Sequence, residues 1–319
     1  MPFLVDLPKA LDQWGTEQGW TADPSINDGH HKWEMTDEGY RYVGEGGSDL
    51  LFTVVQIARA RCSPDGDYFP ASPYNKDDQI TRLRYTLDAI QPADPRLAPI
   101  FTQTKSNLEK AMNAFLATYK NVTVGSVITR GPAGPEFRLT KKMFHLRETE
   151  VVTYLEDLMN PKSRASSVDL ESATVTSTID ETSVDDLTEN WPFTHEKLKD
   201  ALPQYKLKYN VDPFPLFIYD MSSSMPVSNT EPASSSTNEW IEPDTKPIGP
   251  LQVQREIQNT IVKIYFTLKA WYIKDDNKVQ FSADIVSTTI IFRPDQSTSN
   301  KRRLDKPPTT PSKKSRNQA

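Results

Sequence analysis

IQNTIVKIYFTLKAWYIKDDNKVQFSADIVSTTIIF, running from Ile257 to Phe292, carries two patterns in succession. Ile257, Ile261, Ile264, Leu268 and Trp271 recur at spacings of four, three, four and three, which puts them on one face of a helix. Val279, Phe281, Ala283 and Ile285 then alternate with other residues as a strand does, and Thr289 to Phe292 are placed to return as its partner. The expectation for residues 249–293 is therefore a helix followed by strands. Val262 and Phe266 widen the apolar face of that helix, which suits an ordinary core helix. The same five residues would also form a short coiled-coil seam joining copies of the chain into a homo-oligomer, over barely two heptads.

Towards the N-terminus the patterning is denser. Trp33 and Met35 alternate with polar neighbours, Asp37-Glu38-Gly39 supplies a turn, and Tyr40 and Tyr42 alternate again, the signature of a hairpin. Gly44-Glu45-Gly46-Gly47 reads as a turn. Leu51 to Ala58 is a mostly apolar run that fits either a buried strand or the start of a helix. Residues 63–96, rich in Pro and Asp, read as irregular, with an ordered piece near Ile80 to Ile90. Leu108, Met112, Phe115, Leu116 and Tyr119 share one helix face, and Val151, Leu155 and Leu158 share another. Residues 1–160 are expected to form an α+β domain.

Two low-complexity segments interrupt the chain. Residues 161–190 lose the apolar pattern, and from 165 to 190 they hold seven carboxylates and no Lys or Arg, the composition of a solvated linker. A compact piece at 191–220 follows, with a helix over Phe193 to Leu202 and a strand at Phe214 to Tyr219. A second linker spans 221–248, and a basic tail spans 294–319. The whole reads as an α+β chain of ordered segments joined by acidic and Ser/Thr/Pro-rich linkers.

Charge is polarised along the chain. Seven Lys/Arg against one Asp between Lys301 and Arg316 give the tail +6, so a chain of net −6 carries −12 in front of it. An acidic body argues against direct nucleic-acid binding, since phosphate contact needs clustered cations. Lys301-Arg302, ten residues, then Lys313, Lys314 and Arg316 suit the two acidic grooves of an import receptor, which makes the expected location the nucleus. The same charges would also serve as a phosphate-binding arm. Thr310-Pro311 resembles a proline-directed kinase site whose phosphate would weaken that docking. In the acidic linker, Ser166, Ser177, Thr178, Thr182 and Ser183 each precede an acid by three residues, the spacing that acid-directed kinases favour. No run has the length of a membrane span and the N-terminus lacks a signal-peptide pattern, so the expectation is a soluble protein with no membrane contact. Cys62 is the only cysteine, which excludes an intramolecular disulfide. His30, His31, His145 and His195 form no ligand pattern. His145 is expected on a helix and His30-His31 in a loop, and neither a metal nor a cofactor is expected. No Gly-x-Ser-x-Gly elbow or Gly-rich phosphate loop points to catalysis.

Two resemblances follow from these features. Asp220-Met221-Ser222-Ser223-Ser224, after the apolar Phe217-Ile218-Tyr219, resembles the DxSxS metal-ion-dependent adhesion motif of von Willebrand factor A domains, which would make Asp220, Ser222 and Ser224 ligands of a magnesium ion. That likeness covers five residues, with linker-like sequence where the family has a helix. The layout of the whole chain is similar to the phosphoproteins of negative-strand RNA viruses, in particular the nucleus-replicating plant rhabdoviruses. That resemblance implies a non-catalytic polymerase cofactor that oligomerises and bridges nucleoprotein and polymerase. A cellular nuclear adaptor or transcription-associated protein shares the same features.

Overall fold

The computed structural model describes residues 7–29, 31–69, 81–132, 134–147, 191–206, 208–219 and 245–293. The chain is α+β. Helix α1 (Leu7–Thr16) is followed by strands β1 (Lys32–Thr36), β2 (Gly39–Val43), β3 (Leu51–Arg61) and β4 (Arg84–Ile90), then helix α2 (Ala98–Leu116). Next come β5 (Thr123–Gly125), β6 (Ile128–Gly131), β7 (Gly134–Lys142), β8 (Phe144–Leu146), helix α3 (Glu196–Tyr205), β9 (Tyr209–Val211) and β10 (Leu216–Tyr219). Strand β11 (Thr245–Pro247), helix α4 (Pro250–Ile257) and the long strands β12 (Ile261–Ile273) and β13 (Lys278–Phe292) complete the order. No helix among the described residues is long and apolar enough to cross a membrane.

The β1–β2 hairpin forms as the alternation predicts, with Trp33 opposite Tyr42 and Thr36 opposite Gly39. A 3-10 turn at Glu45–Gly47 then leads into β3, with Gly46 and Gly47 in the left-handed region at φ 78° and 83°.

The stripe from Ile257 to Trp271 is corrected. Helix α4 ends at Ile257, and the remaining positions lie on strand β12. The apolar residues of β12 are divided between two faces. Val262, Ile264, Phe266, Leu268 and Ala270 point into the main core, while Ile261 packs in a second core against α1. Burial on both faces turns a strand into a near-continuous apolar run, which contains helical spacings by accident. Ile257, Ile261, Ile264 and Leu268 are therefore buried within their own chain and Trp271 is half-buried, so they do not form one exposed seam. Residues Val279 to Ile285 and Thr289 to Phe292 are likewise one strand, β13, whose partner is β12. Two register shifts in that pairing bend the hairpin.

The sheet closes on itself. β12 pairs antiparallel with β3 from Ile261–Gln56 to Phe266–Leu51. At Gln56 the strand passes to its other neighbour, and β3 pairs with β4 from Gln56–Ile90 to Arg61–Thr86 through an irregularity between Ile57 and Arg59. β4 pairs with β7, β7 meets β13 in parallel, and β13 returns to β12. Numbered in chain order, the five barrel strands run 1-2-3-5-4 and back to 1, with only the 3–5 pair parallel. This is the strand order of the five-stranded Greek-key barrel called the OB-fold.

The other described elements pack around this barrel. Phe101, Leu108, Ala111, Met112 and Phe115 of α2 and Val253 and Ile257 of α4 join its core. Residues 191–219 dock there too: Trp191 Nε1 donates to the Pro64 carbonyl at 2.9 Å, Leu198 and Leu202 are buried, and β10 adds to β13 in parallel. Strands from all three ordered pieces read in the sequence thus share one sheet. On the outer side of β3 and β12, Leu7, Ala10 and Trp14 of α1 cover Phe52, Val54 and Ile261. Lys263 is buried there, with Nζ 3.0 Å from a Glu17 carboxylate oxygen and 4.8 Å from the Phe52 ring centroid.

Candidate nucleic-acid interface

Strand alternation decides which side chains face outward. Ile57, Ala60, Tyr85, Leu87, Ala89, Phe137 and Leu139 point into the barrel, so the residues between them form its outer face over β3, β4 and β7. The register sets these into rows. Arg59, Asp88 and Arg138 form one row, Arg61, Thr86 and Thr140 the next, and Arg84 stands opposite Lys142 in the third.

The central row is an ion-pair chain. Asp88 Oδ1 accepts from Arg138 Nε at 2.8 Å, and Asp88 Oδ2 lies 3.2 Å from Arg59 Nε. Arg59 Nη2 also reaches Glu136. Both carboxylates are almost fully buried, and both arginines are about half exposed. Glu136 can lie flat because Gly131, on the neighbouring strand β6, has no side chain: a Cβ there would occupy the space of the carboxylate.

Two recesses open beside these rows. A groove of about 300 Å³ is lined by Arg84, Arg138 and Thr140 from β4 and β7 and by Trp271, Gln280 and Ser282 from β12 and β13. The Thr140 hydroxyl at this groove is buried, with no hydrogen-bond partner among the described residues. A larger cavity of about 810 Å³ sits where β3 enters the loop to β4, lined by Arg61, Ser63, Tyr68, Phe69, Arg82 and Gln254. Phe69 is 63% exposed at its edge.

Among the described residues, most arginines elsewhere are paired, whereas most of those without a partner gather here. Arg41, Arg96, Arg255 and Arg293 each pair with a carboxylate, and Arg147 donates to two backbone carbonyls. The guanidinium groups without a partner among the described residues are those of Arg61, Arg82, Arg84 and Arg130. The first three lie on this face or in its adjoining cavity, and Arg130 lies on the β6–β7 hairpin. Here cations outnumber carboxylates, although the chain as a whole is acidic. Sequence reasoning missed this face. The available signal was Arg at alternating positions, Arg59 and Arg61 in β3 and Arg82 and Arg84 entering β4, since such spacing puts charges on one side of a strand.

The residues singled out in the sequence fall elsewhere. His145 is on strand β8, not on a helix, because Phe144 to Leu146 pair with Tyr209 to Val211, and its Nε2 lies 3.3 Å from Asp212. His31, outside any strand, stacks on Tyr42 at 5.4 Å, and His195 precedes α3 with its ring 4.7 Å from Tyr68. Among the described residues no three His, Cys, Asp or Glu side chains come together as metal ligands. Cys62 is buried, and that burial pushes its thiol far up. Asp220, Ser222 and Ser224, the linker hydroxyls Ser166, Ser177, Thr178, Thr182 and Ser183, the helix expected around Val151 to Leu158, and the tail with Lys301, Arg302, Thr310, Lys313, Lys314 and Arg316 lie outside the described residues.

No protein-family model, curated protein or solved structure matches the chain.

Proposed function

We propose that the barrel face built from β3, β4 and β7 binds single-stranded nucleic acid, in a non-catalytic interaction protein of the nucleus. The observation that carries this reading is the concentration on one face of arginines that have no partner among the described residues, beside a groove walled by Trp271. Phosphates need cations that are free to meet them, and Arg61, Arg84, the outer nitrogens of Arg138 and Lys142 meet that condition. An indole at the groove offers a surface on which an unstacked base can lie. A duplex keeps its base faces covered, so this pairing of guanidinium groups with an aromatic wall favours a single strand. The barrel's strand order raises the expectation further, because folds of this order bind oligonucleotides and oligosaccharides on the corresponding strands, although function still rests on the site. The acidic surroundings confine the interaction to the face itself and make it sensitive to salt.

Fluorescence anisotropy with a labelled oligothymidylate, compared with a hairpin duplex of the same sequence length, tests the reading. Preferential binding of the single strand at low salt supports it. No binding at low salt, or equal binding of both forms, overturns it.

Protein partners belong to the same proposal. The layout of the chain supports a bridging role, with nucleoprotein and polymerase as partners in the viral reading and transcription proteins in the cellular one, and the tail supports an import receptor. Affinity purification with mass spectrometry separates the viral from the cellular set.

A further inference from the structure

The central row assigns different tasks to its two arginines. Asp88 takes the Nε of each, at 2.8 Å from Arg138 and 3.2 Å from Arg59. Arg59 is held a second time, through Nη2, by Glu136. Arg138 has no second partner among the described residues, so both of its Nη groups are uncommitted, and it lines the groove that contains Trp271. A guanidinium is planar, and fixing its inner Nε–H points the outer pair of donors away from the carboxylate. Those donors then match two oxygens of one phosphate.

We infer that Asp88 is a positioning residue for nucleic-acid binding, holding Arg138 as a preset phosphate fork, while Glu136 keeps Arg59 out of that role. The inference rests on the proposed function and adds to it which arginine meets the phosphate and what aims it. It also predicts a sign that charge alone does not. Asp88 and Glu136 are both negative and both within screening distance of the bound polyanion, so on Coulombic grounds removing either strengthens binding. If Asp88 positions Arg138, the two substitutions act in opposite directions.

The test is oligothymidylate binding over a salt series for wild type, D88N, E136Q, R138A, R138K and D88N/R138A, with thermal melting to confirm folding. The inference expects D88N to bind about fivefold more weakly, the loss of one ordinary hydrogen-bonded contact. Its log–log salt slope should fall by roughly 0.7, the value of one phosphate contact on a single strand. D88N should add nothing in the R138A background, and E136Q should bind as tightly as wild type or more tightly. R138K keeps the charge and loses the fork, at a half-exposed site where folding is not at stake, so it should fall with R138A. Tighter binding by folded D88N, or wild-type affinity in R138K, overturns the assignment while leaving the proposed function standing. Failure of wild type to bind the oligonucleotide at low salt overturns the function and the assignment together.

Discussion

Thr140 of β7 stands opposite Asp284 of β13 in a parallel pairing, and through that contact the sheet closes into a barrel. Closure is what brings Arg138 and Arg84 to the same groove as Trp271 and Ser282, residues more than a hundred positions away in the chain. The site therefore depends on long-range strand pairing, and several measurements follow from that dependence.

Leu268 is fully buried in the barrel, on the face of β12 that carries Ile264 and Phe266. Leu268→Ala is expected to lower stability by about 2–5 kcal/mol, the usual range for a cavity of this kind. Its oligomeric state should not change. Denaturant unfolding and size-exclusion chromatography check both points. A variant that keeps its stability and changes oligomeric state would restore the helical seam.

Reading β12 as a helix shows where the sequence was legible and where it was not. The β1–β2 hairpin could be read because polar and apolar residues alternate around Asp37-Glu38-Gly39, and α2 because it buries one stripe and exposes the rest. β3 fits either a strand or a helix, and β12 mimics a helix, for the same reason. Leu51 to Val55 are buried on both sides, as are Ile261 to Ile264, so neither run has an exposed face to set a period. The density of β-branched and aromatic residues from Ile261 to Ile273, followed by Asp275-Asp276-Asn277, was the better guide. The cationic face was legible only strand by strand, as Arg at alternating positions. Arg59, Arg84 and Arg138 become neighbours only through strand register, and net charge averages them with carboxylates on other surfaces.

Removing single cations and the indole should separate two kinds of contact. Arg84→Ala and Lys142→Ala are each expected to weaken oligothymidylate binding and to lower the salt slope by roughly 0.7. Trp271→Ala is expected to cost about 1–3 kcal/mol of binding with little change in slope, as loss of a stacking surface does. Lys9→Ala, on the exposed side of α1, removes the same charge away from the face and should leave affinity unchanged. Isothermal or anisotropy titrations across salt concentrations distinguish these outcomes, and equal effects for Lys9 and Arg84 would refute a localised site.

Tyr42 gives a pH-dependent prediction for the fold. Burial pushes its phenol up to about 12, and the hydroxyl donates to Asn27 Oδ1 at 2.7 Å. The unfolded chain gives up that proton near pH 10, so the native state retains a proton the unfolded state has lost. The contribution is complete below pH 10 and disappears as pH rises through about 12. Tyr42→Phe should cost about 1 kcal/mol at neutral pH through the lost hydrogen bond. The difference from wild type should close between those two pH values. Urea midpoints measured against pH check it, and a constant difference would contradict it.

Nuclear delivery is tested independently of the barrel. Lys313→Ala combined with Lys314→Ala should move a tagged protein out of the nucleus, and Thr310→Glu should reduce its accumulation there. Unchanged nuclear signal in the double variant would remove the tail from the account.

Because the tail is also basic, binding alone does not locate the ligand, whereas photocrosslinking does. Oligothymidylate carrying bromouracil, irradiated in complex with the full chain and followed by peptide mapping, should mark Trp271 in the groove, with Tyr68 or Phe69 of the adjoining cavity as further positions. Crosslinks confined to residues 301–316, with none on the barrel, would contradict the claim that this face is the binding surface.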